Sequence, residues 1–250
     1  MIVLKTRREL DLMREACRIS ANALREAGKA VEPGVSPKEI DDVVRNYIRK
    51  QGASPSFLGY GGFPASACIS VNNVVIHGIP SKKQILKSGD IVSVDVGAFI
   101  GGFHGDNAYT YACGDISKEA RALLDATKES LYEGIKQAKA GNRVGDIGNA
   151  VQSYAEARSY SVVRDFVGHG VGAKLHEDPS IPNYGTPGRG VRLMPGMTIA
   201  IEPMITAGDY AVKVLDDDWT TVTADGSLAA HFEHTIAITP DGPVIMTIPD

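Results

Sequence analysis

Five residues of this 250-residue chain have the types and placement for metal chemistry: Asp95, Asp106, His169, Glu202 and Glu233. The first two lie in Gly89–Tyr111, which reads as two strands joined by a tight turn at Gly101-Gly102, since glycine accepts positive φ at no steric cost. A turn centred on 100/101 sets Asp95 directly opposite Asp106, and one centred on 101/102 makes them diagonal neighbours. In both registers the carboxylates share a face, where they repel and raise each other's pKa unless a positive charge lies between them.

The other acids fall into the same pattern. Side chains alternate along a strand with period two. Val92, Val94 and Val96 share one face and Ser93 and Asp95 the other; Ile199 and Ile201 oppose Ala200 and Glu202; within His231–Ile238, Ile236 and Ile238 oppose Glu233 and Thr235. Each aliphatic face suits helix packing, and each small-residue face carries an acid, which predicts one sheet covered on one side and acidic on the other. His169 joins the set from Gly168-His169-Gly170-Val171-Gly172, where the flanking glycines let a backbone or substrate approach closely. Four carboxylates cannot be buried together unpaired. Two divalent cations neutralise them, and oxygen ligands with one imidazole suit Mn²⁺, Fe²⁺, Co²⁺ or Zn²⁺. Bridging carboxylates would set such ions ~3.5–4 Å apart, with a water between them acidic enough to act as hydroxide near neutral pH. Taken singly, a strand acid is usually solvated and a lone histidine usually structural. What lifts these five is their coincidence on one face type. His104, His231 and His234 are assigned no ligand role, and Asp216-Asp217-Asp218 reads as a solvated loop.

The elements that must carry these residues recur. Thr6–Lys29 shows helical spacing (Leu10, Met13, Cys17, Ala21, Leu24). Ser36-Pro37-x-Glu39 opens a second helix to about Lys50 with a capping-box pattern. Ser54–Ser66 reads as a loop and Ala67–Ile76 as a strand. The second half offers helices over Ser117–Lys139 and Asp146–Arg158. An offset of 107 aligns Gly34 with Gly141, Ile40 with Ile147, Val44 with Val151, Tyr47 with Tyr154, Leu86 with Leu193, Gly89 with Gly196 and Asp95 with Glu202. A duplicated helix-helix-strand unit follows. It predicts a single catalytic domain over 1–250 built from halves of about 1–115 and 116–250, with the chemistry between them.

Composition narrows the class. A chain that is 43% hydrophobic and 22% charged has the make-up of a globular enzyme, and a net charge of −4 disfavours general nucleic-acid binding. Met1–Arg8 does not read as a signal peptide, and no run approaches ~18 apolar residues, so no membrane span is expected. Cys17, Cys68 and Cys113 are scattered and odd in number, as in a reducing compartment, without a thiolate zinc motif.

Read together, Gly59-Tyr60-Gly61-Gly62-Phe63-Pro64, Asn72–Pro80 with His77, the Asp95/Asp106 pair, Gly168–Gly172 followed by His176-Glu177, Ala200-Ile201-Glu202-Pro203, and Glu233 resemble the short bacterial type I methionine aminopeptidase family over essentially the whole chain. The resemblance implies an α+β pita-bread fold: a curved antiparallel sheet, helices on its outer face and pseudo-two-fold halves. It implies removal of the initiator methionine from nascent chains with a small second residue preferred. Asp95 would chelate one ion, His169 and Glu202 the other, and Asp106 and Glu233 would bridge. Glu202 would carry the proton. His176 would polarise the scissile carbonyl, and His77 would hold the next peptide unit. Phe57, Tyr60, Phe63, Cys68, His77, Leu175 and Trp219 would line the methionine pocket, with a monovalent cation near Asn72, Val74 and Ala229. Phe57 and Leu175 stand where some members carry Cys and Phe, and Gly61 where some carry His; these touch pocket shape and leave the metal set whole. A cytoplasmic monomer acting on nascent N-termini, with the ribosome surface as a further partner, completes the implication. Alternatives are a related metallo-aminopeptidase or prolidase, which usually has an extra N-terminal domain, and a non-catalytic pita-bread binding protein, which typically loses ligands. The short interval from His169 to Glu233 disfavours the type II form.

Overall fold

Three hydroxyl residues start three of the four long helices. Thr6 caps α1 (Arg7–Lys29) and Ser36 caps α2 (Pro37–Lys50), each answered by the glutamate three residues on; Ser117 caps α3 (Lys118–Gln137). The fourth, α4 (Val144–Glu156), begins two residues before the expected Asp146. That carboxylate sits inside the first turn and accepts the Arg143 N–H at 2.7 Å. Shifted by 107, α2 becomes 144–157, so it coincides with α4 to within a residue. The computed structural model describes residues 1–250.

Fifteen strands, all paired antiparallel, are arranged in four hydrogen-bonded groups. The first holds β1 (Ser54–Pro55), β2 (Ala67–Val71), β4 (Ile91–Ile100) and β5 (Phe103–Ala112). A second joins β3 (Val74–Ile76) to β11 (Val212–Val214) and β12 (Thr221–Thr223). A third joins β6 (Ser161–Val162) to β10 (Met204–Thr206) and β13 (Ala229–His231). The last orders β15 (Gly242–Ile245), β14 (His234–Thr239), β9 (Thr198–Ile201), β7 (Gly168–Gly170) and β8 (Glu177–Ile181).

The single sheet expected from face patterns is thus broken, and the breaks fall at positions expected to carry the site. The strand expected over Ala67–Ile76 splits at Asn72-Asn73, with Asn72 at φ 57°. The strand expected over His231–Ile238 splits at Phe232-Glu233. Glu202 lies one residue past β9, before Pro203. Between the halves, the β3–β12 pairing is joined by bonds of backbone and side chain around Asp106. Thr235 donates its hydroxyl to the Asp106 carbonyl at 2.7 Å and accepts the Asp106 N–H at 3.2 Å. The Glu233 N–H donates to the Ala108 carbonyl at 2.9 Å.

Each half keeps its own apolar core. One packs α1 and α2 residues such as Ile19, Ile40, Val44 and Ile48 on Val92, Val94 and Val96. The other packs Leu123, Leu131 and Ile147 on Ile199, Ile201 and Ile236. The helices therefore cover the aliphatic faces read from the sequence and leave the acidic faces turned the other way. No helix is long and apolar enough to cross a membrane.

Candidate metal centre and adjoining cavity

The β4–β5 turn decides how the first two acids meet. Gly101 and Gly102 take φ of 63° and 86°, the pair of positive values a two-residue hairpin turn requires. Ile100 then pairs with Phe103, Gly97 with Asp106 and Asp95 with Ala108. Asp95 and Asp106 are diagonal neighbours, with the turn centred on 101/102.

His169 is fixed by crowding on both sides. A Cβ at Gly168 would lie 2.3 Å from the Ala200 carbonyl oxygen, and one at Gly170 would lie 2.3 Å from that of Asp178. The close approach predicted for these glycines is made by neighbouring backbone. Nδ1 of His169 meets the Gly170 carbonyl at 2.8 Å, a contact that only a protonated Nδ1 satisfies. Nε2 therefore presents a lone pair, 3.4 Å from Glu202 Oε1 and 3.9 Å from Asp106 Oδ2.

One ligand atom from each of Asp106, His169 and Glu233 lies within 4.8 Å of the others. Asp95 and Glu202 complete the wall of the same cavity, of about 180 Å³. No lysine or arginine lines it. Asp95 Oδ1, Asp106 Oδ1 and Glu233 Oε1 are buried without a hydrogen-bond donor. Burial, then mutual repulsion, drives the carboxyls of Asp95, Asp106 and Glu233 well above the usual carboxylate range. Burial lifts Glu202 to about 8 and depresses His169 to about 3. Orphaned carboxylate oxygens facing an unprotonated imidazole nitrogen, with no protein cation among them, form a donor set that fits divalent cations. Asn183 Nδ2 donates to the Glu202 carbonyl at 3.0 Å and so steadies that residue's backbone.

The remaining predicted residues line the same cavity: Phe57, Tyr60, Phe63, Cys68, His77, Leu175, His176 and Trp219. Trp219 stands edge-on to Phe63, centroids 5.1 Å apart, and Asp217 Oδ1 accepts the Trp219 N–H at 2.9 Å and the Thr220 N–H at 2.7 Å. The aspartate run read as a solvated loop thus contains the residue that shapes the tryptophan turn. A Cβ at Gly61 would lie 3.2 Å from the Trp219 ring, so the absence of a side chain there leaves that ring its place. His77 sits at φ 58°, a left-handed value uncommon outside glycine, and burial lowers it to about 4. His176, at the mouth, meets the Tyr60 hydroxyl through Nδ1 at 2.7 Å, and its ring centroid is 4.2 Å from that of His169.

Three cavity residues escaped the sequence reading: Ile76, Val167 and Phe166, the last edge-on to His77 at 5.7 Å. Their only sequence signal was adjacency to His77 and His169. His104 lies apart, bonded through Nδ1 to the Ser56 hydroxyl at 2.9 Å. Asn72 and Ala229 meet through an Ala229 N–H to Asn72 carbonyl bond of 2.9 Å, close to Val74 at the start of β3.

Residues 11–240 match metallopeptidase family M24, and the chain belongs to that family. Within the family its likeness is to methionine aminopeptidases. Methionine aminopeptidase 1 of Bacillus subtilis (strain 168) is 55% identical over 247 residues, 99% of each chain. The crystal structure of methionine aminopeptidase from Thermotoga maritima is similar at a TM-score of 0.97 and 48% identity, covering 99% of both chains. A prolidase from Pyrococcus horikoshii OT3, 22% identical, shares the fold at a TM-score of 0.81 over all of this chain and 65% of its own. The architecture is the pita-bread fold, and the chain is a metallo-aminopeptidase of the hydrolase class.

Proposed function

We propose that this enzyme removes the initiator methionine from nascent polypeptides in the cytoplasm, with a small second residue preferred. The observation that carries the reading is the junction of two surfaces in one cavity: five metal-type donors on one wall and an aromatic and sulfur-containing wall on the other. A thioether side chain suits the second wall, because sulfur packs well against aromatic edges.

Asp95, Asp106, His169, Glu202 and Glu233 would together hold two divalent ions, their carboxylates offsetting the ions' charge. Such ions supply Lewis acidity and an acidified water. The chain's own groups do the rest. Glu202 accepts a proton from the attacking water and returns it to the departing amine, a role its carboxylate can take because it lines the cavity beside His169. Nδ1 of His176 shares a hydrogen bond of 2.7 Å with the Tyr60 hydroxyl, and with that hydroxyl as the donor the ring keeps an Nε2–H to polarise the scissile carbonyl. His77, held between Phe166 and Trp219, positions the next peptide unit. Phe57, Phe63, Cys68 and Leu175 form the closed end of the methionine pocket. The substrate is an exposed N-terminus, met as a monomer at or near the ribosome surface, and Asn72, Val74 and Ala229 would border a monovalent cation.

The test is release of free methionine from Met-Ala-Ser and Met-Ile-Ser, with and without chelator. Chelator-sensitive cleavage of Met-Ala-Ser with little cleavage of Met-Ile-Ser is expected. No metal-dependent cleavage of either refutes the activity, and equal cleavage of both refutes the small-residue preference.

A further inference from the structure

Glu202 is bracketed by two imidazoles, one at each carboxylate oxygen. His169 Nε2 lies 3.4 Å from Oε1, and His231 Nε2 lies 3.5 Å from Oε2. The two rings differ in what holds them. His169 is committed through Nδ1 to the Gly170 carbonyl. On His231, which is 2% exposed, Nε2 is buried with no hydrogen-bond partner. Native interiors seldom leave a buried polar atom idle.

The backbone of His231 is fixed. Its N–H donates to Thr110 Oγ1 at 2.9 Å, and its carbonyl accepts from the same hydroxyl at 2.8 Å. It also pairs with Met204 across β10–β13. The ring is thereby aimed at Glu202. His231 does not line the cavity whose wall carries all five candidate donors, so it is placed to act on a ligand rather than as one.

We propose that His231 is the positioning residue for Glu202: an Nε2–H donated to Oε2 fixes the plane of the carboxylate and keeps Oε1 turned toward the His169 side. The inference rests on the metal-site reading above and deepens it. The present separation is just beyond a formed N–H···O bond, and a rotation of a few tenths of an ångström closes it. Partners that orient a metal-binding carboxylate typically govern affinity by about 10–100-fold.

The test compares Mn²⁺ binding by calorimetry in the wild type, His231→Leu and His231→Gln, with folding checked by circular dichroism. The leucine variant is expected to bind about 10-fold or more weaklier than the wild type, and the glutamine variant, which restores an N–H donor, to stay within about threefold of it. A folded leucine variant with wild-type affinity overturns the proposal, as does a glutamine variant as weak as leucine. A second measurement needs no substitution: the imidazole ¹⁵N spectrum of the Zn²⁺-loaded wild type should show the His231 proton on Nε2. A proton on Nδ1 overturns the proposal even if the leucine variant fails to fold. If the wild type binds no Mn²⁺, the metal-site reading fails instead, and the same spectrum of the metal-free protein still decides the His231–Glu202 bond.

Discussion

Lys5→Met is expected to destabilise the protein and loosen the segment that carries His176. Lys5 Nζ and Glu177 Oε2 are 2.5 Å apart, with side chains only 3% and 8% exposed. Glu177 Oε1 also accepts the Lys174 N–H at 3.2 Å, and the Lys5 backbone N–H donates to the Gly196 carbonyl at 2.7 Å. A residue before the first helix is thus stapled to the residue that follows His176. Removing one partner of a buried ion pair leaves the other charge uncompensated, a loss of about 3–5 kcal/mol. At roughly 2–4 °C per kcal/mol for a chain of this size, the midpoint of thermal unfolding should fall by on the order of 10 °C. Replacing both partners, as in Lys5→Met with Glu177→Leu, should recover much of that loss, because two apolar side chains leave no orphaned charge. Thermal melting of the wild type, the single and the double variant measures this, and methionine release from Met-Ala-Ser below the melting range reports on His176. A single variant melting within about 2 °C of the wild type, or a double variant no better than the single, would refute the reasoning.

Asp95→Asn should abolish chelator-sensitive methionine release while circular dichroism and melting stay close to wild type; a fully active variant removes Asp95 from the metal set. Thr235→Val should lower stability by about 1–3 kcal/mol in urea unfolding, because the buried Asp106 N–H and carbonyl both lose their partner across the seam. Stability of the metal-free protein should fall between pH 6.5 and 8. His77, His104, His169, His231 and His234 are held down to about 3–4 by burial, so between about pH 4 and 6.5 these five groups make stability rise with pH, against the opposite pull of the raised carboxyls of Asp95, Asp106, Glu202 and Glu233, and above 6.5 their contribution is constant. Glu202 has the opposite sign: at about 8 it keeps a proton that the unfolded chain has released, so stability falls from pH 6.5 to 8, by about 2 kcal/mol from this group alone. Divalent ions should remove that fall, and melting curves at pH 6.5 and 8 with and without Mn²⁺ check it.

The local sequence determined much of this protein. Thr6, Ser36 and Ser117 mark helix starts because a capping hydroxyl needs only backbone three residues away. Face alternation and the 107-residue offset separated acids from aliphatics, since period-two geometry is a property of the strand alone. The residue types of the donor set were legible for the same reason. Tertiary structure decided what depends on distant partners. Two hairpin registers were open until Ile100 paired with Phe103. The strand around Glu233 broke because its backbone N–H is taken by Ala108, 125 residues earlier in the chain. Phe166 entered the cavity by packing on His77, and His231 came to face Glu202 through a clamp on Thr110. A long-range hydrogen bond leaves no periodic trace in the chain, so which oxygen of Glu202 faces which histidine is written only in the folded protein.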